Sequence, residues 1–151
     1  MKKIVVKFGG SNLKQKEDFA KLIRVITLYR QPIIIVISAL YGVTNILADA
    51  IRTVKTNEKA IRDLLQNLQD AHYRVIDLYS GTNNAEKAQE AKQKIAERLE
   101  ELGKYLLGIH YLGEIPDFVE DRVLSYGERL SSLVLTSILD FNQIPCRECL
   151  P

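Results

Sequence analysis

The sequence predicts an α/β protein organised on a parallel sheet, and two runs of residues carry that expectation. The first is the β-branched Ile4-Val5-Val6, which passes through Lys7-Phe8 into the glycine pair Gly9-Gly10; the second is the wholly apolar Ile33-Ile34-Ile35-Val36-Ile37. An amphipathic stretch separates them, so strand, helix and buried strand make a βαβ unit. Such a unit is right-handed, and its ligand crevice lies beyond the carboxyl ends of its strands. The residues after those ends, Lys7 to Ser11 and Ser38 to Asn45, are where chemistry is expected.

In the first of these loops two adjacent glycines let the backbone approach an anion closely, N–H groups at a helix start favour negative charge, and Lys7 adds a full positive charge. The segment reads as a phosphate cradle, or more plainly as a strand-to-helix connector with Lys7 in solvent. From Leu13 to Tyr29 the positions Phe19, Leu22, Ile23 and Ile26 recur at helical spacing, and Gln31-Pro32 stops that helix. The second loop, rich in hydroxyls and amides, opens a helix carrying Ile46, Leu47, Ala50, Ile51 and Val54. There Ser38 could serve as a simple turn residue, and Thr44 or Asn45 as a helix N-cap.

A long stripe from Asn57 to Tyr79, closed by Ser80-Gly81, and a second through Ala88, Ala91, Ile95, Leu99, Leu102 and Leu106, ending at Gly108, predict an antiparallel helical hairpin. His72 falls on the first stripe and reads as a core histidine rather than a ligand. The charged outer positions read as a solvated face. After a loop around His110 to Pro116, Ser125 and Glu128 have the S-x-x-E spacing of a capping box. A carboxylate in a first helical turn beside Gly127 would equally suit an ammonium ligand, the glycine leaving room for close approach. Ile144 to Pro151 resembles the start of another strand.

The 151 residues, 46% hydrophobic and 26% charged, fit one domain over the whole chain. Net charge is +2 with both signs interleaved, which points away from nucleic acid and from an anionic membrane surface. The apolar run after Met1-Lys2-Lys3 is too short for a secretory signal and Ile33 to Ile37 too short to span a bilayer, so a cytoplasmic protein is expected. Cys146 and Cys149 have C-x-x-C spacing but lack partner ligands at zinc-site spacing, and read as two reduced thiols. No metal site is expected.

Three segments together resemble the amino-terminal part of aspartate kinases, in the same order and at compatible spacing. They are Lys7-Phe8-Gly9-Gly10, Ser38-Ala39-Leu40 with Gly42-Val43-Thr44-Asn45, and Leu124-Ser125-Tyr126-Gly127-Glu128-Arg129-Leu130-Ser131. The resemblance implies the amino acid kinase fold, a three-layer α/β/α sandwich with a mainly parallel sheet, of which this chain would be the amino-terminal half. It further implies transfer of the γ-phosphoryl group of ATP, with Mg2+, to the side-chain carboxylate of L-aspartate. The product would be 4-phospho-L-aspartate, the first intermediate towards lysine, threonine and methionine. Carried over by position, Lys7 would neutralise charge on the transferring phosphoryl group, and Gly9, Gly10 and Ser11 would hold phosphate. Ser38 would touch both phosphate and aspartate, while Thr44 and Glu128 would bind aspartate, Glu128 through the α-ammonium.

Ser11-Asn12 departs from the family's usual pair of hydroxyl residues, which puts an amide at the second position. The family's nucleotide-binding half and regulatory domains would follow beyond Pro151, so a fragment is expected, such as one from an aspartate kinase fused to homoserine dehydrogenase. Alone it should lack measurable turnover and should self-associate through uncovered apolar surface. The competing readings are a glutamate, acetylglutamate or uridylate kinase of the same family, and a non-catalytic binding or assembly module. A dinucleotide site is disfavoured because the first loop lacks G-x-G-x-x-G spacing.

Overall fold

The computed structural model describes residues 4–14 and 16–150. Met1 to Lys3, considered above as a secretory start, and Pro151, the end of the supposed last strand, lie outside the described residues. In chain order the elements are β1 (Ile4–Phe8), a 3-10 turn (Gly10–Asn12), α1 (Lys16–Thr27), β2 (Ile33–Ile37), α2 (Val43–Val54), α3 (Lys59–Ser80), α4 (Ala85–Leu112) and α5 (Asp117–Phe141), with a second 3-10 turn (Thr82–Asn84) between α3 and α4. The described chain is therefore mainly helical, with one small parallel sheet.

β1 and β2 pair in parallel, Ile4 opposite Ile33 and Phe8 opposite Ile37, so the expected βαβ unit forms around α1. The wholly apolar run of β2 predicts a strand buried on both faces, and the structure corrects this. Phe8, Ile33, Ile35 and Ile37 turn towards the helices, whereas Val5, Ile34 and Val36 are 59%, 50% and 45% exposed. No described element covers that second face. Lys7 lies on it, paired in register with Val36.

The helices pack around α5. Leu47, Ile51 and Val54 of α2, Leu68 and Ile76 of α3, Leu102 and Leu106 of α4, and Leu130, Val134 and Ile138 of α5 are all fully or almost fully buried. Each such side chain contributes about 1.5–3 kcal/mol relative to exposure. The hairpin of α3 and α4 forms as expected, but α4 runs past Gly108 and ends at Gly113, whose φ of 68° and N–H bond to the Ile109 carbonyl close the helix. Ile109 is a core residue, and burying it keeps the backbone helical through the supposed loop at His110.

A second correction concerns α5. It begins at Asp117 after Pro116, so Ser125 and Glu128 lie well inside the helix and form no capping box. The Ser125 hydroxyl instead donates to the Arg122 carbonyl at 2.7 Å. The tail after α5 forms no strand among the described residues. It is held by a bidentate pair between Arg98 of α4 and Glu148, both side chains largely buried. Burial alone would raise the Glu148 carboxyl, but bonds from Arg98 and Ser132, with the charges of Arg98 and Arg129, hold it below the usual range.

His72 is fully buried on α3, as the stripe predicts, and its Nδ1–H donates to the Leu68 carbonyl at 2.6 Å. Burial lowers its pKa, against the opposing effect of that bond, while Nε2 has no partner. The folded state therefore keeps His72 neutral, and the unfolded chain, with a pKa of about 6.5, takes up the proton. Below that value the unfolded state binds more protons, so stability falls as pH falls. We expect urea midpoints to drop between pH 7.5 and 5.5, and His72→Leu to remove that part of the slope. An unchanged slope in the variant would contradict the assignment.

Candidate functional site

The two loops identified from the sequence meet at the carboxyl ends of β1 and β2. The Ser38 N–H donates to the Phe8 carbonyl at 3.0 Å, carrying the ladder one residue beyond the strands, and the Tyr41 N–H reaches the Leu13 carbonyl at 3.3 Å. Gly10 packs so closely that a Cβ there would stand 3.1 Å from the Ala39 carbonyl oxygen. At Gly42 the chain turns into α2 with φ of 84°, a left-handed conformation suited to glycine.

Gly42 also corrects the N-cap expectation. It occupies that position itself, with no side-chain cap, so Thr44 and Asn45 lie within the first turn of α2. The start of α2 thus retains amide N–H groups without intrahelical acceptors, and the positive end of the helix dipole opens between the two loops.

The third wall comes from the middle of α5. Gly127 is buried, and a Cβ on it would fall 2.8 Å from Ala39 Cβ, with Leu47 and Val43 methyl groups at 3.6 Å. The space beside this glycine is filled by Ala39 and is not left for a ligand, which revises the sequence-based reason for its presence. Its effect is to seat α5 directly on the second loop, so that the next residue, Glu128, faces the opening.

The resulting cleft has a volume of about 290 Å3. Gly10, Ser11, Ser38, Thr44 and Glu128 line it together with Ala39 to Gly42 and Asn45. Lys7 and Gly9 do not line it, and Lys7 projects from the open face of β1. Glu128 is exposed and forms no salt bridge with another described residue. The cleft therefore offers a free carboxylate on one side and uncapped amides with hydroxyls on the other. Such an arrangement can orient a zwitterion and accept an oxyanion.

Sequence reasoning missed Tyr41. Its exposed ring forms part of the cleft wall and carries Lys14 Nζ at 3.6 Å from the ring centroid. A lysine before a helix and a tyrosine in a distant loop gave no local signal. Among the described residues no group of three or more His, Cys, Asp or Glu could hold a metal ion, and Cys146 and Cys149 are free, exposed thiols. No helix of the described chain is long and apolar enough to cross a membrane.

Residues 2–151 match the amino acid kinase family. The chain is 28% identical over 138 residues to the bifunctional aspartokinase/homoserine dehydrogenase of Buchnera aphidicola subsp. Acyrthosiphon pisum, an overlap of 89% of this chain and 17% of that protein. Its fold is similar to E. coli aspartokinase III in complex with aspartate and ADP (R-state), with TM-score 0.75, 17% identity, and coverage of 94% of this chain and 30% of the other. The complex of the same enzyme with lysine and aspartate (T-state) gives TM-score 0.75 at 18% identity with the same coverage. The chain thus spans 17% of the curated relative and 30% of each solved structure.

The glycines of α4 and α5 give a direct test of the Gly127 packing. Alanine at Gly108, where nothing stands within 4 Å of the added Cβ, should raise stability by about 0.5–1 kcal/mol through helix propensity. At Gly127 the same gain is opposed by an overpacking cost of about 1–3 kcal/mol, since Ala39 Cβ is fixed to its backbone. Denaturant midpoints that rise for Gly108→Ala and fall for Gly127→Ala are expected; a rise for both would show that the contact is slack.

Proposed function

The chain belongs to the amino acid kinase family, and from that premise we propose that it supplies the acceptor-binding part of an aspartate kinase. The reaction moves the γ-phosphoryl group of ATP to the side-chain carboxylate of L-aspartate and yields 4-phospho-L-aspartate. One observation carries the proposal: the unpaired Glu128 carboxylate shares a small cleft with Thr44, Ser38 and the uncapped start of α2. Glu128 holds the α-ammonium, and Thr44 and Ser38 bind the acceptor by their hydroxyls. Gly10 and Ser11, with Gly9 before them, face the phosphoryl group. Lys7, on the open face of β1 outside the cleft, takes its charge-neutralising role from its place in the family motif and not from this geometry.

A carboxylate is already a nucleophile at neutral pH, so no general base is required. Catalysis then rests on positioning and on charge neutralisation. The described residues provide no carboxylate cluster for Mg2+. The ion would travel with the nucleotide phosphates, and none of the roles above depends on it. The uncovered face carrying Val5, Ile34 and Val36 is consistent with one layer of a three-layer α/β/α sandwich, and with self-association while it stays open. A cytoplasmic setting suits an ATP-dependent step of amino-acid biosynthesis.

Calorimetric titration of the chain tests this reading. L-Aspartate should bind, N-acetyl-L-aspartate, which lacks the ammonium, should not, and Glu128→Gln should weaken aspartate binding about tenfold or more. Equal binding of the two ligands, or an unaffected Glu128→Gln variant, would overturn the acceptor assignment.

A further inference from the structure

Tyr41 separates the cleft from a second hollow. This groove, about 300 Å3 in volume, lies between the segment before α1 and the faces of α2 and α3, and shares only Leu40, Tyr41 and their neighbourhood with the cleft. Three exposed apolar side chains, Tyr41, Ile46 and Leu78, converge on it from three different parts of the chain, with Val75 beneath them. Scattered apolar residues on a surface are ordinary, but a concave cluster of them is not.

Two exposed cations, Lys14 and Arg74, also line the groove. Neither forms a salt bridge with another described residue, Lys14 resting instead on the Tyr41 ring. Two acids of its own helix, Asp70 and Asp77, border Arg74 but form no ion pair with it. Asp70 accepts from Gln66 at 2.9 Å, and Asp77 pairs with Lys92 of α4 at 2.6 Å. Asp18, near Lys14, accepts the Lys14 amide and pairs with Lys21. Burial above all, and then the charges of Glu17 and Asp18, disfavour negative charge on the Tyr79 hydroxyl at the edge of the same groove, against a backbone bond from Ala20. One anionic group beside Lys14 and Arg74 is therefore favoured, and a second one near Tyr79 is not.

We propose that this groove binds a small monocarboxylate with an apolar body, the carboxylate on Arg74 and Lys14 and the body against Ile46, Val75 and Leu78. The volume lies at the small end of the ligand-pocket range. A charge-assisted bond to a guanidinium together with displaced water over apolar surface supplies affinity, and both parts of the ligand are needed. The site stands apart from acceptor binding, since Thr44 and Glu128 do not line it.

The test is an NMR titration of the full chain with hexanoate, hexan-1-ol and succinate. Hexanoate should give saturable amide shifts at Tyr41, Ile46 and Leu78. Hexan-1-ol and succinate should each bind about tenfold more weakly, and Arg74→Gln should weaken hexanoate by a similar factor. Arg74 is exposed, so the variant should fold, and an unchanged spectrum away from the groove checks this. No saturable shift with hexanoate, equal binding of hexan-1-ol, or full affinity in Arg74→Gln would overturn the proposal.

Discussion

The contact between Gly127 and Ala39 sets the geometry on which the candidate site depends. A helix normally keeps its distance from a loop because side chains stand between them. Here the absence of one Cβ on α5 lets Ala39 fill the gap, and Leu47 and Val43 of α2 close around the same point. The same alanine presses on Gly10 through its carbonyl oxygen. One small residue therefore brings together the turn after β1, the loop after β2 and the middle of α5. Without that convergence Glu128 would be one more exposed carboxylate on a helix surface.

The rest of the helical body acts as a rigid backing for this junction. α5 is buried along most of its length, so its register is fixed by packing against α2, α3 and α4 rather than by its ends. Several polar groups inside that packing are tied down, although His72 Nε2 and the Tyr126 hydroxyl find no hydrogen-bond partner among the described residues. Ser131 donates to the Gly127 carbonyl at 3.0 Å, directly behind the cleft. Arg98 bonds the Arg129 carbonyl and Glu148, joining α4, α5 and the tail in one network next to Glu128. A buried pair of this kind adds little net stability, but removing one partner leaves an uncompensated charge. The strands, by contrast, leave a face open, and their contribution is to aim the two loops.

What the sequence disclosed follows from how local each signal is. The two strands, α2 and the hairpin were legible as elements from their apolar runs and stripes, but the unbroken run of β2 did not disclose that Ile34 and Val36 face outwards. The ends were less legible. Gly108 resembled a helix stop, yet the burial of Ile109 outweighed the cost of one glycine inside α4. The Ser125–Glu128 spacing imitated a cap because such a motif cannot distinguish a helix start from a helix interior. Five residues of the expected site, Gly10, Ser11, Ser38, Thr44 and Glu128, do share one cleft, while Lys7 and Gly9 do not line it. The Lys14–Tyr41 contact and the role of Gly127 depend on the approach of distant segments, which no local pattern encodes.

A double-mutant cycle of Ala39→Gly and Gly127→Ala, read both by denaturant midpoint and by L-aspartate affinity, tests the central claim most directly. Removing the Ala39 methyl group should make room for the methyl added at residue 127. The two changes should then couple by about 1 kcal/mol or more in stability; given the acceptor role we propose for the cleft, Gly127→Ala should also weaken L-aspartate binding and the double variant should restore it. Strict additivity in both measurements would contradict the account, because the position of Glu128 would then not depend on this contact.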